Sequence, residues 1–416
     1  MKIKKVIYSK GKTGFFFDDQ KAIKKGAAHD GFAYLGKPLT EGFRNIRQAG
    51  EAISVNLLLE NGMVASGDAA AVQYSGAGGR DPLFLADTYI PFLKKNISPL
   101  LEGMEIDNFR KTAAYIDTLK IEGRALHTAI RYGISQALLE AAALTKNKLK
   151  MEIVCDEYAL PVIPEAVPVF GQSGDDRYTA VDKMIIKEAD VLPHALINNI
   201  DEKLGRNGEL LKEYIRWLSA RIRKLRDNET YSPVIHIDVY GTIGIIFDSN
   251  PVKVAEYLAS LEKDAGGFSL YIEGPVDMEA KAPQMEALKE IREHLKKLSS
   301  PVKIVADEWC NTLEDIRDFT DTQCCDMVQI KTPDLGSIHN VVESIIYCRN
   351  NNMESYQGGT CNETDISARS CVHLALAARA ERILAKPGMG FDEGFAIVKN
   401  EMQRTIDIIR NRNGVQ

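Results

Sequence analysis

The sequence has no long hydrophobic run, no export signal and no excess of positive charge. Its 416 residues contain no stretch of about 18 uncharged apolar residues, so a membrane-spanning helix is not expected. The opening Met1-Lys-Ile-Lys-Lys5 lacks the apolar core of a secretory signal. A formal net charge of −6 argues against nucleic-acid binding as the main activity. We therefore expect neither a membrane nor a nucleic acid as a partner.

Common nucleophile, nucleotide and metal-thiolate motifs are also missing. The seven cysteines match no zinc-binding spacing, and an odd, scattered set of thiols is typical of a reduced, cytoplasmic chain. No Gly-x-Ser-x-Gly elbow occurs. The glycine-rich stretch Gln73–Gly79 fits neither dinucleotide-binding nor P-loop spacing. A surface turn and a mobile lid over a neighbouring site are the two interpretations of that stretch.

The sequence does contain a series of short apolar runs separated by helical patterns. Runs rich in Val and Ile are typical of buried parallel strands. After Pro161, Pro164 and Pro168 we predict eight strands, at Val167–Gln172, Asp190–His194, Val234–Asp238, Ser269–Glu273, Val302–Asp307, Met327–Lys331, Glu354–Gly359 and Arg382–Leu384. The length that remains is near the ~250 residues of a (β/α)8 barrel. We predict an α/β fold with a C-terminal TIM-type barrel over residues 161–416; an open doubly wound sheet is the alternative.

Residues 1–160 follow a different pattern. Ile53–Leu59 partly alternates and leads into Asn61-Gly62, which indicates a β-hairpin. Apolar residues at helical spacing then run from Leu126 to Leu139. Strands first and helices after predict an N-terminal α+β domain. We expect a long loop from Gly14 to Gly36.

Three carboxylates end consecutive predicted strands: Asp238, Glu273 and Asp307. The carboxyl ends of parallel barrel strands meet at one face, where barrel enzymes have their active sites. Like charges that converge there repel one another unless a cation lies among them. Oxygen ligands suit Mg²⁺ or Mn²⁺. We predict a divalent metal site. The alternative is that each carboxylate has a structural role and forms an ion pair with a barrel lysine.

Two candidate bases end further strands. Lys331 ends the sixth predicted strand, and burial beside a metal would lower its pKa and make it a base. His194 ends the second, diametrically opposite in a barrel of eight. A structural lysine and a structural histidine are the alternatives. His236 shares a strand face with Asp238, and we interpret it as filling the barrel.

Polar residues complete the mouth of the predicted barrel. Gln172 ends the first strand, Gln329 shares a face with Lys331, and Gly358-Gly-Thr-Cys361 follows the seventh strand. Amides, a hydroxyl and backbone N–H groups would suit a dicarboxylate substrate. Cys361 is a poor candidate nucleophile because no histidine lies near it in sequence.

The chain resembles the enolase superfamily, whose members place Asp, Glu and Asp on barrel strands three, four and five beneath an N-terminal capping domain. More closely, and over essentially its full length, it is similar to the methylaspartate ammonia-lyases (methylaspartases). The matching stretches are residues 14–20, 71–82, 172–178, 189–196, 236–242, 307–311, 329–334 and 358–364. His194 stands where the racemase and cycloisomerase branches carry Lys-x-Lys, which argues against those activities.

The resemblance implies a carbon–nitrogen lyase that reversibly eliminates ammonia from the amino dicarboxylate (2S,3S)-3-methylaspartate to give mesaconate. Lys331 would remove the C3 proton, Mg²⁺ on the three carboxylates would stabilise an enediolate, and His194 would contact the substrate and act on the C3 epimer. The implied substrate contacts are Gln172, Gln329, Thr360 and the Cys361 backbone at the carboxylates, with Gln73, Phe170, Tyr356 and Leu384 as walls around the methyl and amino groups. A homodimer, activation by K⁺ and a role in glutamate fermentation are further implications.

Three other functions fit the same residues. A dehydratase of hydroxy acids would use the same metal and lose water. A Schiff-base aldolase would use Lys331 as a nucleophile. A non-catalytic protein that retained an old barrel is the third, and the intact Asp/Glu/Asp/Lys set argues against it.

Overall fold

The computed structural model describes residues 1–77, 79–412 and 414. The strands of the N-terminal part are β1 (Ile3–Asp18), β2 (His29–Asp30), β3 (Ala33–Tyr34), β4 (Arg47–Leu59), β5 (Val64–Ala70), β6 (Lys120–Ile121) and β7 (Arg124–Ala125). Its helices are α1 (Gln20–Lys24), α2 (Ala86–Asn96), α3 (Ser98–Leu101), α4 (Phe109–Thr118), α5 (Thr128–Lys146) and α6 (Lys150–Tyr158). Strands β1, β4 and β5 form an antiparallel sheet in that order. The predicted α+β arrangement is therefore present.

The hairpin between β4 and β5 is the one predicted from Asn61-Gly62. Gly62 has φ +87°, a conformation that suits glycine, and the Leu59 N–H donates to the Met63 carbonyl at 2.9 Å. Helix α5 packs directly on this sheet. A Cβ on Gly67 would lie 2.3 Å from the Gly133 carbonyl oxygen, so two glycines are needed for the close approach.

The predicted loop from Gly14 to Gly36 is wrong at its beginning. Strand β1 continues to Asp18, which pairs with Arg47 of β4. Arg47 donates two hydrogen bonds of 2.7 Å to the Asp18 carboxylate, which is almost fully buried. Asp19 then caps α1 by accepting from the Ala22 N–H. The glycines of the segment suggested a loop, but this buried ion pair extends the strand.

The remainder of the chain forms a closed parallel barrel. Its strands are β8 (Val169–Phe170), β9 (Val191–Leu196), β10 (Val234–Asp238), β11 (Leu270–Glu273), β12 (Lys303–Ala306), β13 (Met327–Ile330), β14 (Glu354–Gln357) and β15 (Arg382–Leu384). The helices around it are α7 (Thr179–Ile186), α8 (Glu209–Leu225), α9 (Thr242–Ile246), α10 (Pro251–Ser260), α11 (Glu262–Ala265), α12 (Lys281–Lys297), α13 (Leu313–Thr322), α14 (Ile338–Asn350), α15 (Asp365–Ala378) and α16 (Asp392–Arg412), with a π-helix at Ile200–Leu204. Since β15 pairs with β8, the open-sheet alternative is wrong.

An apolar layer fills the barrel below its carboxyl-terminal mouth. The side chains of this layer are Phe170, Val191, Tyr271, Val305, Met327, Tyr356 and Leu384. Packed layers of this kind make a barrel a solid core, so that chemistry is confined to its mouth. The boundary between domains 1–160 and 161–416 stays a prediction. Within the described ranges, no helix combines the length and hydropathy needed to cross a membrane.

Candidate active site

A cavity lies between the carboxyl ends of the barrel strands and the segment that follows β5. The predicted site residues that line it are Gln73, Gln172, His194, Asp238, Glu273, Asp307, Gln329, Lys331, Thr360, Cys361 and Leu384. Side chains that sequence reasoning did not single out also line it, among them Tyr74, Arg80, Tyr240, Glu308 and Met389. Phe170 and Tyr356 lie one layer deeper and are completely buried.

Two of the predicted metal ligands lie side by side on neighbouring strands. Asp238 ends β10 and Glu273 ends β11, and the two residues are partners in the sheet register. Ligand atoms of Asp238, Glu273 and His194 all lie within 4.8 Å of one another. Burial, with the charges of Glu273 and Asp307, raises the pKa of the Asp238 carboxyl well above its usual value. A bound cation is the usual way to relieve such crowding of buried negative charge.

Asp307 and Lys331 face each other from the ends of β12 and β13. Lys331 Nζ lies 2.8 Å from Asp307 Oδ1 and 4.0 Å from Glu308 Oε2. Burial would lower the pKa of Lys331, but these carboxylates together raise it above its usual value. The lowering expected beside a bound metal ion stays a prediction, and the strand pattern did not show that Glu308 also approaches the amine. Burial raises the pKa of Asp307 to about 6 in spite of Lys331.

The prediction that His194 ends its strand is wrong, because His194 lies within β9. The strand continues to Leu196, and the register with β10 shifts at His194, which is left unpaired with φ +45°. A β-bulge of this kind redirects a side chain, and bulges are frequent beside active sites. The imidazole stands edge-on to Phe170 at 5.2 Å, and neither of its nitrogens has a hydrogen-bond partner in the part of the chain that the structure describes. It is free to contact a ligand.

His236 supports Glu273 as well as filling the barrel. Its Nε2 lies 2.7 Å from Glu273 Oε2, and Arg382 approaches its Nδ1 at 3.3 Å. Since Arg382 can only donate, Nδ1 accepts and Nε2–H donates to the carboxylate. Burial lowers the pKa of His236 to about 4, so the ring is neutral. The available sequence signal was its place two residues before Asp238, one layer below the carboxylates.

Tyr356 is the other residue that holds this carboxylate. Its hydroxyl donates to Glu273 at 2.8 Å, and Gln329 Nε2 donates to the same hydroxyl. Burial would raise the pKa of Glu273, but the nearby His194, whose Nε2 lies 3.7 Å from Glu273 Oε2, and the hydrogen bond from His236 outweigh it and lower that pKa below the usual value. Glu273 is therefore a fixed, ionised ligand candidate.

The predicted carboxylate-binding groups line the same cavity. Gln172 Nε2 donates to two backbone carbonyls at 2.9 and 3.2 Å, and Gln329 Oε1 is buried without a partner among the described residues. The Thr360 hydroxyl accepts from the Asn362 N–H at 3.1 Å, which leaves its own hydrogen to donate. Thr360 is the best placed of these side chains to receive an anion.

The segment after β5 covers the cavity from the N-terminal domain. Gln73 donates to Asp18 at 2.6 Å, and Arg80 pairs with Asp334 at 3.0 Å across the two domains. The lid interpretation of residues 73–79 fits this position; Gly78 lies outside the described residues. The Cys361 thiol touches Gln73 Oε1 at 3.6 Å, and burial raises its pKa to about 12, which argues against a thiolate nucleophile.

Sequence models of one family match nearly the whole chain. Those described as methylaspartate ammonia-lyase N-terminus and methylaspartate ammonia-lyase C-terminus match residues 1–159 and 161–411. The curated methylaspartate ammonia-lyase of Citrobacter amalonaticus is 64% identical over 413 residues, which cover 99% of this chain and 100% of that protein.

Solved structures superpose over the same length. Citrobacter amalonaticus methylaspartate ammonia lyase, solved with (2S,3S)-3-methylaspartic acid, gives a TM-score of 0.98 at 64% identity and covers 99% of this chain and 100% of its own. A magnesium complex of β-methylaspartase from Clostridium tetanomorphum gives 0.97 at 56% identity, with coverages of 99% and 100%. The L-Ala-D/L-Glu epimerase of Bacillus subtilis shares the fold alone, with a TM-score of 0.62 at 15% identity and coverages of 95% and 91%. The predicted barrel beneath a capping domain is confirmed.

Proposed function

The chain belongs to the methylaspartate ammonia-lyase family, and from this premise we propose that it reversibly eliminates ammonia from (2S,3S)-3-methylaspartate to give mesaconate. One observation carries the proposal beyond the family match. A buried lysine amine, Lys331, borders a cluster of buried carboxylates in a single cavity. Removing a proton next to a carboxylate requires both a base and a means of stabilising the negative charge that develops.

We assign Asp238, Glu273 and Asp307 to a Mg²⁺ site, with Mn²⁺ as a possible substitute. The donor set fits, because Asp238 is buried beside the like charges of Glu273 and Asp307, and Asp307 Oδ1 faces the cation Lys331 at 2.8 Å. An all-oxygen set suits Mg²⁺, whereas imidazole is a better ligand for zinc, copper or iron. This preference favours Asp307 over His194 as the third ligand.

Lys331 is assigned as the base for the (2S,3S) substrate. When bound, the divalent ion would offset the charge of the carboxylates beside Lys331 and stabilise the enediolate that forms from the substrate carboxylate next to C3. Lys331 Nζ takes the C3 proton, and the electron pair of that C–H bond moves into the adjacent carboxylate. Its return forms the C2=C3 double bond as the C2–N bond breaks and ammonia leaves.

The remaining residues orient the substrate. Thr360 and the Cys361 backbone would donate to one carboxylate, and Gln172 and Gln329 would complete the binding of the carboxylates. Gln329 Nε2 donates one hydrogen to the Tyr356 hydroxyl and keeps a second one for a substrate carboxylate. Gln73 and Leu384 would contact the methyl and amino groups directly. Phe170 and Tyr356 would act there through His194 and Glu273, which they touch.

We extend the proposal to a cytoplasmic homodimer that K⁺ activates and that serves glutamate degradation through mesaconate. These features follow from the resemblance to the family. They add no step to the chemistry above.

The decisive assay uses the purified full-length protein with Mg²⁺ and (2S,3S)-3-methylaspartate. We expect an ultraviolet-absorbing unsaturated diacid and an equal amount of ammonia, both abolished by a chelator and restored by Mg²⁺. Absence of ammonia would refute the proposal. Turnover of a hydroxy diacid instead would indicate a dehydratase, and borohydride trapping of a carbonyl substrate would indicate a Schiff-base aldolase.

His194→Ala should separate the two faces of the substrate. We expect kcat for the C3 epimer to fall by about 10²-fold or more, because its proton would lie on the His194 side. The (2S,3S) substrate should lose less, since Lys331 still removes its proton. Parallel kinetics on both epimers measure the ratio, with wild type as the reference. Equal losses on both epimers would contradict the assignment and leave His194 a structural or binding role.

A further inference from the structure

A completely buried ion pair lies behind the cavity. Lys386, just after β15, has its Nζ 2.8 Å from Glu363 Oε1, and both side chains are 0% exposed. The same ammonium donates to the Gly358 carbonyl at 2.7 Å and reaches Thr332 Oγ1 at 2.9 Å. Gly358 follows β14 and Thr332 lies two residues after β13. One side chain thus joins the carboxyl ends of three consecutive strands.

The carboxylate of the pair extends the connection into the N-terminal domain. Glu363 Oε2 accepts from the Tyr132 hydroxyl of α5 at 2.8 Å and from Ser367 Oγ at 2.9 Å. Glu363 Oε1 accepts from Thr332 Oγ1 at 2.8 Å. The backbone carbonyl of Glu363 accepts from the Gly14 N–H of β1, again at 2.8 Å. Both carboxylate oxygens of Glu363 are therefore engaged, and the N-terminal domain contacts this residue twice, through Tyr132 at the side chain and Gly14 at the backbone.

Stability alone is a poor explanation for such a pair. Removing two charges from water has a large desolvation cost, and apolar residues of similar volume often serve a fold equally well. The location of the pair suggests another reason. Thr332 is the neighbour of Lys331, and the segment 358–364, which carries Thr360 and Cys361, begins and ends on this network.

The segment 358–364 is fitted closely around the two charges. A Cβ on Gly359 would lie 2.3 Å from Glu363 Oε1 and 2.5 Å from Lys386 Nζ, and its φ of +134° also favours glycine. The Thr360 N–H points to Glu363 Oε1 at 3.4 Å. A shift of the ion pair would therefore move this segment with it.

We propose that Lys386 and Glu363 are positioning residues, which fix the base Lys331 and the carboxylate-binding segment 358–364 relative to each other. This inference rests on the function proposed above. Neither side chain lines the cavity, so both act through the residues that do. Because Tyr132 of the N-terminal domain donates to Glu363, the position of this ion pair also depends on the docking of that domain.

The double variant Lys386→Met/Glu363→Met tests this inference most directly. Lys386→Met alone leaves a buried, uncompensated carboxylate, and we expect it to lower Tm strongly. The double variant removes both charges, so its Tm should stay near that of wild type while kcat falls by about 100-fold, the loss typical of a misplaced catalytic group. Hydrogen exchange at residues 358–364 should become about tenfold faster. Calorimetric Mg²⁺ affinity should change little, because the ligands lie on β10 to β12.

Arg292→Met provides the structural control. Arg292 pairs with Asp326 at 2.6 Å at the amino-terminal end of the barrel, far along the strands from the site. We expect this variant to lose Tm with kcat and exchange at 358–364 unchanged. It shows whether breaking an ion pair is by itself enough to reduce activity.

Unchanged exchange at 358–364 in the double variant overturns the inference whatever kcat does, and so does a kcat equal to that of wild type. If the double variant does not fold, Tyr132→Phe replaces it. We then expect faster hydrogen exchange at 358–364 and a lower kcat than in wild type. A wild-type value for either quantity overturns the inference. A wild-type protein that releases no ammonia refutes the proposed function instead, and the exchange comparison still decides whether the pair holds the segment.

Discussion

Lys331→Ala is expected to lower kcat for ammonia release from (2S,3S)-3-methylaspartate by about 10³- to 10⁴-fold, or ~4–5.5 kcal/mol of activation free energy. The amine lies at the mouth of the barrel, almost fully buried and beside the carboxylate cluster, so removing it leaves the C3 proton without an acceptor. KM should change less, because the substrate carboxylates are bound elsewhere. Steady-state kinetics give both constants. Exchange of the C3 hydrogen with deuterated water, followed by NMR, should stop as well.

Lys331→Arg is the matched control for charge. A guanidinium keeps the positive charge beside Asp307 but stays protonated at any working pH, so it cannot act as a base. If Lys331 removes the proton, the arginine variant should be nearly as inactive as the alanine variant. Substantial activity with arginine would show that the site needs only a positive charge at this position, and the base would have to be sought elsewhere.

Much of the barrel could be predicted from the sequence because each strand is buried on both faces. Runs such as Val234–Asp238 and Met327–Lys331 are short, rich in Val and Ile, and end in a polar residue, so both the strand and the residue at its end were predictable. The carboxylates followed from this periodicity. Asp238 and Glu273 are register partners as a consequence, although no part of the sequence pattern states their separation.

The parts that were not predictable depend on contacts between distant segments. His194 leaves its strand at a bulge, which alternation of side chains cannot reveal. Asp307 and, to a smaller extent, Glu308 raise the pKa of Lys331 in this structure, and the side-chain rotamer that brings Glu308 within 4.0 Å of the amine is not encoded in strand spacing. Lys386 and Glu363 come from two different loops and are joined only once the barrel closes. Sequence periodicity predicts which residues reach the mouth, whereas closure determines what each one meets there.

Asp238→Asn is expected to abolish metal-dependent activity and yet to stabilise the metal-free protein. Binding of Mg²⁺ to the folded state alone stabilises it, by about 2.7 kcal/mol at one hundred times the dissociation constant. Without one of three carboxylates, most of that gain and several kcal/mol of transition-state stabilisation should be lost, so kcat falls by about 10³-fold or more. Thermal unfolding with and without Mg²⁺, together with calorimetry, measures these effects.

The stabilisation of the metal-free variant has a definite pH dependence. The pKa of Asp238 is raised in the folded protein, so wild type loses stability as the pH rises from the carboxyl's ordinary pKa toward the folded one. Asparagine cannot ionise, so in the presence of a chelator the Tm of Asp238→Asn should exceed that of wild type by a margin that grows as the pH rises over that range. Glu308→Gln is the control, because Glu308 lines the same cavity next to Asp307 but is not assigned to the metal; it should keep the Mg²⁺-induced rise in Tm. If metal-free Asp238→Asn has a lower Tm than metal-free wild type at neutral pH, repulsion within the carboxylate cluster does not destabilise the wild-type protein. The argument for a cation among these side chains would then fail.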